Sequence, residues 1–295
     1  MNTNPTALRA IALLATLSCL AAGGCITFGS PGASSTATLR ASVALDPSRA
    51  DGAPLAVRST NGRIGVRHDP ALQTIEVEAE VRCAGETEEE AEERAAKARI
   101  LATTGDDGTV RVGIEYPPMR SGRARHPSDG AAISVRAARS GALDLETSNG
   151  AISVEGMAGP LRAETGNGSI TVERHDGSVR LSTSNGAIRA TQVGLPAVLD
   201  TSNGRIEAEF STGASGAVNA RTSNGAVQLV LPADWSGTVA ARTSNGRITM
   251  EGGARATSTE VDRGAGTMVI GPAAEATARA EVVTSNGAVR VRVGG

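Results

Sequence analysis

Residue types that perform chemistry in proteins are scattered along this chain of 295 residues. The histidines His68, His126 and His175 have no second metal ligand at a suitable spacing. Glu155 and Glu173 share one position of a repeat, and paired carboxylates of this kind cleave polysaccharides in some enzymes. Those enzymes also hold aromatic and basic residues in a cleft, so we expect the two carboxylates to be solvated surface charges. The sequence therefore predicts a chain that is not an enzyme and that has no metal and no cofactor.

Composition argues against nucleic acid as a partner. Aromatic residues make up 1% of the chain, and base-stacking surfaces need several of them close together. The formal net charge is −2, so no overall positive field attracts phosphate backbones. We therefore expect no nucleic-acid partner.

The first 24 residues are typical of a bacterial lipoprotein signal peptide. Arg9 precedes a short apolar run, and small residues lead directly to Cys25. Lipidation of Cys25 would anchor the protein to a membrane, with cleavage at Cys19 or ordinary secretion as the alternatives. Residues 25–40 are rich in Gly, Ser and Pro, which predicts a flexible tether. Ile26, in place of Asp, favours the outer membrane, where the protein would face either the periplasm or the cell surface.

Residues 41–140 form a less regular N-terminal β region with one predicted helix at about 87–102. Thr87 followed by Glu90 is a capping box, and we expect ion pairs from Glu90 to Arg94 and from Glu93 to Lys97. Strands are predicted at 75–83 and 110–116. Cys83 continues the apolar alternation of the first strand, so we expect a buried and unreactive thiol.

A repeat of 18–21 residues governs residues 141–295. Each copy centres on Thr-Ser-Asn-Gly or a near variant, with alternating apolar residues on both sides, which predicts strand, turn and strand. A weaker copy is expected at Arg263–Gly266. The predicted turn ladder consists of Asn149, Gly150, Asn167, Gly168, Asn185, Gly186, Asn203, Gly204, Asn224, Gly225, Asn245, Gly246, Asn286 and Gly287.

Two architectures fit this repeat. Asn-Gly between alternating strands is a strong hairpin signal, so a string of hairpins is one of them. The other is a parallel β-solenoid, in which identical Thr and Asn side chains stack from coil to coil. We favour the solenoid, because a hairpin does not require the same Thr-Ser before each turn. The predicted fold class is therefore an all-β parallel solenoid with one short helix, in which Arg290 and Arg292 protect the C-terminal edge by their charge.

The combination of these motifs resembles a known family. A lipoprotein-like start, Asn-Gly-Arg-Ile-Gly-Val at 61–66, a Glu/Ala/Arg helix and serial Thr-Ser-Asn-Gly-x-Ile-x-Val are similar to the bacterial DUF4097 family of β-strand-repeat, adhesin-like proteins. The resemblance covers about residues 50–295. It implies a β-helix fold, a role in the cell envelope and no catalytic residues.

Three functional hypotheses follow for this sequence. The favoured one is a lipid-anchored envelope protein whose repeats form a non-catalytic binding or structural surface for an unknown protein or polysaccharide. The second is a periplasmic scaffold or signalling accessory protein. The third, disfavoured, is an enzyme that acts on polysaccharides through Glu155 or Glu173.

Overall fold

The structure is a computed structural model that describes residues 33–44, 52–272 and 278–294. The predicted signal peptide and the lipidation site Cys25 lie outside the described residues. Within the described ranges, no helix combines the length and the apolar character needed to cross a membrane.

The described part of the N-terminal region forms seven strands and one helix before the regular repeats begin. In chain order these are β1 (Ala33–Ala44), β2 (Leu55–Asn61), β3 (Ile64–His68), β4 (Thr74–Gly85), α1 (Glu88–Lys97), β5 (Arg99–Thr104), β6 (Val110–Glu115) and β7 (Gly130–Ala137). β1 pairs with β4 and β4 with β7, all antiparallel, and β5 forms an antiparallel pair with β6.

The described residues from 141 onwards form sixteen further strands and one turn of 3-10 helix. The first ten strands are β8 (Leu143–Asn149), β9 (Ile152–Glu155), β10 (Leu161–Asn167), β11 (Ile170–His175), β12 (Val179–Thr183), β13 (Ile188–Val193), β14 (Ala197–Thr201), β15 (Ile206–Phe210), β16 (Val218–Asn224) and β17 (Val227–Leu231). They are followed by β18 (Gly237–Asn245), β19 (Ile248–Glu251), the 3-10 turn Gly253–Arg255, β20 (Ala256–Asp262), β21 (Ala265–Ile270), β22 (Ala278–Asn286) and β23 (Val289–Val293).

Each repeat contributes one strand to each of two large sheets. The first sheet has eleven described strands in the order β1-β4-β7-β3-β9-β11-β13-β15-β17-β23-β19. The second has twelve, in the order β20-β21-β18-β22-β16-β14-β12-β10-β8-β2-β6-β5. Neighbouring repeats are parallel and in phase, as in the pairing of Leu161 with Leu143. The prediction of a mostly β chain with one short α-helix is therefore confirmed for the described residues.

The core is a continuous column of aliphatic side chains between the two sheets. Ile152, Ile170, Ile188 and Ile206 follow one another at the same repeat position, and none of them is more than 1% exposed. Burying an aliphatic side chain of this size contributes about 1.5–3 kcal/mol, and the column repeats that contribution at each level. Alternate residues face outwards, which gives each strand its polar outer row.

Two N-terminal predictions differ from the structure. The predicted tether is a strand from Ala33 onwards, because β1 forms twelve residue pairs with β4. The helix ends at Lys97 and not near 102, since Ala98 adopts an extended conformation and the following residues pair with β6. That strand pairing satisfies the backbone groups that a longer helix would have used.

The C-terminal prediction is wrong in three respects. Residues 263–266 are the tip of an antiparallel hairpin between β20 and β21, and not a copy of the repeat. The last repeat, β22 with β23, lies between the two repeats that precede this hairpin. Arg290 and Arg292 therefore lie on an interior strand, because β23 pairs with β17 on one side and with β19 on the other.

Candidate binding surface

A row of asparagine side chains runs along one corner between the two sheets. Each amide donates a hydrogen bond to the carbonyl oxygen of the asparagine in the neighbouring repeat, at 2.7–2.9 Å. All these bonds point the same way, towards the N-terminal end. The order along the row is Asn245, Asn286, Asn224, Asn203, Asn185, Asn167, Asn149 and Asn61.

Buried threonines form a second row beneath the asparagines. The Thr183 hydroxyl donates to the carbonyl oxygen of Gly168 at 2.9 Å, and the same bond recurs at 2.9–3.0 Å in the other repeats. Each threonine lies beside the threonine of the neighbouring repeat, as expected for a solenoid and as Thr183 does beside Thr165. Its hydroxyl bonds to the glycine of that repeat, so one row connects two repeat positions.

Glycine is required at this corner because the backbones of neighbouring repeats approach each other closely. A Cβ atom added to Gly186 would lie 1.9 Å from the carbonyl oxygen of Gly168, and Gly168 meets Gly150 at 2.1 Å in the same way. Neither Gly168 nor Gly186 has a positive φ, so a left-handed backbone conformation is not the reason for glycine at these positions. The stacked backbones leave no room for a side chain.

The N-terminal end of the asparagine row is closed by a loop. The Asn61 amide donates to the carbonyl oxygens of Pro127 at 2.8 Å and Asp129 at 2.9 Å. At the other end, the Asn245 amide donates to Asn286, and no donor among the described residues reaches the side-chain carbonyl oxygen of Asn245. The row therefore has a capped end and an open end.

The outer surface of this corner is an exposed, uncharged ridge, which we call the Ser–Asn ridge. It consists of the Ser-Asn pairs at 148–149, 184–185, 202–203, 223–224, 244–245 and 285–286, together with Gly166-Asn167. Each inner asparagine uses one N–H and one lone pair in the row, so one of each remains free. The ridge can therefore offer hydrogen-bond donors and acceptors at the spacing of the strands, about 4.8 Å.

Carboxylates on the outer face of the first sheet are paired with arginines. Glu155 and Glu173 lie side by side in register, as the repeat predicted. Arg67 is 3.4 Å from Glu155, and Arg174 contacts both carboxylates. A hydrogen bond from Arg205 and the charge of Arg189 hold the pKa of Glu207 below its usual value. This face is a set of ion pairs at the surface.

A buried ion pair anchors the loop that closes the ridge, and the sequence analysis missed it. Arg94 was expected to pair with Glu90, but it bonds to Asp129 at 2.6 Å and the two side chains are 3% and 0% exposed. Asp129 also accepts from the backbone N–H groups of Ala84 and His126, both at 2.9 Å. Burial raises the pKa of Asp129, but these hydrogen bonds outweigh it and leave the pKa below its ordinary value.

The helix sequence contains a signal for this pair. Arg94 has helical spacing with Ala91, Ala95 and Ala98, which form the buried face. Glu90 instead accepts from the backbone N–H groups of Glu86 and Arg120. The other predicted helix features, the Thr87 cap and the pair from Glu93 to Lys97, are present.

Two buried titratable residues lie away from the ridge. His175 ends β11 with 1% exposure, and its Nε2 lies 2.8 Å from the carbonyl oxygen of Gly159. Burial lowers the pKa of His175. Cys83 is buried as predicted, and burial raises its pKa to about 11, so its thiol is protonated at neutral pH. Among the described residues, no cluster of His, Cys, Asp and Glu is arranged to hold a metal.

Comparisons with known proteins give distant structural likenesses. No family model matches the chain, and no curated protein matches its sequence. It is similar to the crystal structure of a candidate adhesin from Bacteroides fragilis, with 10% identity, a TM-score of 0.44 and coverage of 87% of this chain and 97% of that one. A candidate cell adhesion protein from Clostridium sporogenes has 10% identity, a TM-score of 0.31 and coverage of 88% and 100%. At these identities and scores, the likeness carries no functional argument.

Proposed function

We propose that the two sheets are the two sides of a parallel β-solenoid. The support is the register: identical positions of successive repeats pair with one another in both sheets. The Asn and Thr rows connect one repeat to the next at the same corner. Such a stack forms a stiff rod, since each level bonds to its neighbours in both sheets.

We further propose that this solenoid is a non-catalytic binding surface in the bacterial cell envelope. The observation that carries the proposal is the Ser–Asn ridge, which stays exposed, uncharged and regularly spaced along the repeats. A regular array of hydrogen-bonding groups on a rigid support suits a long, repetitive ligand. The array is already ordered before the ligand binds, so the protein loses little conformational entropy on binding. Adhesin-like binding to a protein or polysaccharide is the activity that fits this geometry.

Anchoring at the membrane and membership of the DUF4097 family remain part of the proposal. They rest on the sequence: the small residues before Cys25 and the serial Thr-Ser-Asn-Gly-x-Ile-x-Val motifs. Replacing Cys25 with serine should move the protein from the membrane fraction to the soluble fraction. Retention of the Cys25→Ser variant in the membrane fraction would rule out this anchor.

A periplasmic scaffold is the alternative, and cell labelling separates it from an adhesin. An antibody against a C-terminal tag is applied to intact and to permeabilised cells. The adhesin proposal expects labelling of intact cells. Labelling that requires permeabilisation would place the protein in the periplasm and favour the scaffold.

An enzyme that uses Glu155 or Glu173 is the disfavoured alternative. Both carboxylates contact Arg174 at the surface, so they are engaged in ion pairs. Incubation of the protein with envelope glycans should release no reducing ends. Release that is abolished by Glu155→Gln or Glu173→Gln would establish the enzyme instead.

A further inference from the structure

The last repeat of the chain occupies a slot that breaks the order of stacking. We call the space between β16–β17 and β18–β19 the insertion slot. The two repeats that form its walls are consecutive in the chain, joined by residues 232–236, yet β22 and β23 separate them. The last repeat can therefore leave the slot without opening any other junction of the stack.

Both walls of the slot hold the inserted repeat in the same register. Thr284 lies opposite Thr222 on one side and opposite Thr243 on the other. Its hydroxyl donates to Gly225, just as the Thr243 hydroxyl donates to Gly287. The hydrogen bonds at the corner of both junctions are those found elsewhere in the stack. The last repeat of a second copy of this chain would form the same bonds in the slot.

Closure of an empty slot would rearrange the outer row of the second sheet. The outward side chain of Val283 separates Arg221 from Arg242, because it pairs with both. If the slot closed in sequence order, the same register would place these two exposed arginines side by side, as Arg162 and Arg180 already are in β10 and β12. The inserted repeat also brings Glu281 within 3.5 Å of Arg221.

We propose that the insertion slot accepts the last repeat of a second copy of this chain, which gives a dimer by exchange of residues 278–294. Exchange costs little in contacts, because the same strands and side chains meet in the monomer and in the dimer. The outer row fits the inserted repeat as well, since Glu281 lies 3.5 Å from Arg221 and Val283 pairs with both wall arginines.

Disulfide trapping between two chains tests this exchange. Ser223 and Ser285 are exposed and lie between the paired positions 222/284 and 224/286 of adjacent strands. Neighbouring strands are about 4.8 Å apart, a separation that a disulfide spans. Both chains carry Cys19→Ser and Cys25→Ser. One chain has Ser223→Cys and an additional tag, and the other has Ser285→Cys. The two are refolded together at high concentration, oxidised and separated by electrophoresis without reductant.

The matched control pairs Ser202→Cys with Ser285→Cys, because position 202 lies one strand further from the slot. We expect at least tenfold more heterodimer from the 223/285 mixture than from the 202/285 mixture. Equal yields would overturn the exchange. A single chain that carries both Ser223→Cys and Ser285→Cys should form an internal disulfide, and failure to form it would overturn the slot itself.

Discussion

At the scale of single residues, the asparagine row is a structural device whose outer side is free for binding. Asn185 donates to Asn167 and accepts from Asn203, both at 2.9 Å. These bonds explain why the same residue returns at every repeat. The remaining N–H and lone pair of each amide face solvent, so stability and binding share one side chain.

Replacing Asn185 with valine should lower the melting temperature by a few degrees. The variant loses two side-chain hydrogen bonds, which together contribute about 1–2 kcal/mol. Thermal unfolding followed by circular dichroism measures the change, with Ser184→Ala at the exposed neighbour as the control. An unchanged melting temperature for Asn185→Val would show that the row does not stabilise the stack.

Replacing Asp129 with alanine should destabilise the N-terminal cap by about 3–5 kcal/mol, because it leaves the Arg94 charge buried without a partner. Denaturant unfolding measures the loss, and Asp107→Ala at an exposed site is the control. Equal stability of the two variants would contradict the role given to the buried pair.

His175 should make stability depend on pH in the acidic range. Its pKa is lowered in the folded state, so the unfolded chain takes up a proton first and stability is lost as the pH falls below about 6.5. The melting temperature of His175→Phe should fall less between pH 7.5 and pH 5 than that of the original chain. His68→Phe, at an exposed site, should keep the original dependence, and identical profiles for both variants would refute the assignment.

At the scale of elements, the strands and the turn corners could be predicted from the sequence. The period-two alternation of apolar residues placed the buried positions correctly in the repeats, because a strand with one buried face leaves no other arrangement. The reason for the glycines could not be predicted, since close approach depends on the neighbouring repeat. The helix end at Lys97 was missed for a different reason: residues 99–104 leave the helix to form a hairpin with β6, the next strand in the chain.

Gly186→Ala tests close approach at this corner. The new methyl group would lie 1.9 Å from the Gly168 carbonyl oxygen, so the two repeats must move apart at a cost of about 2 kcal/mol or more. Ala187→Ser adds one heavy atom at the next, exposed position and should leave the melting temperature nearly unchanged. Equal melting temperatures for both variants would argue against the tight contact.

At the scale of the whole molecule, the order in which the repeats stack could not be predicted from the sequence alone. Sequence-order stacking and the observed insertion share one register, so no residue pattern within a repeat distinguishes them. Sequence order would place Arg221 beside Arg242, but that difference between the two arrangements is visible only after the register is known. The open and capped ends of the Ser–Asn ridge depend on this order too.

The most direct test of the central claim compares binding by the ridge with binding by a sheet face. The double variant Ser184→Tyr and Ser202→Tyr covers the ridge with bulky side chains. Arg180→Tyr with Asp200→Tyr places the same side chains on exposed positions of the second sheet and leaves the net charge unchanged. Retention of the purified, tagged proteins on isolated cell envelopes is measured as a function of protein concentration. The account predicts that the ridge variant loses at least tenfold in apparent affinity while the sheet variant binds like the original chain. Equal binding by all three proteins would contradict a binding role for the ridge.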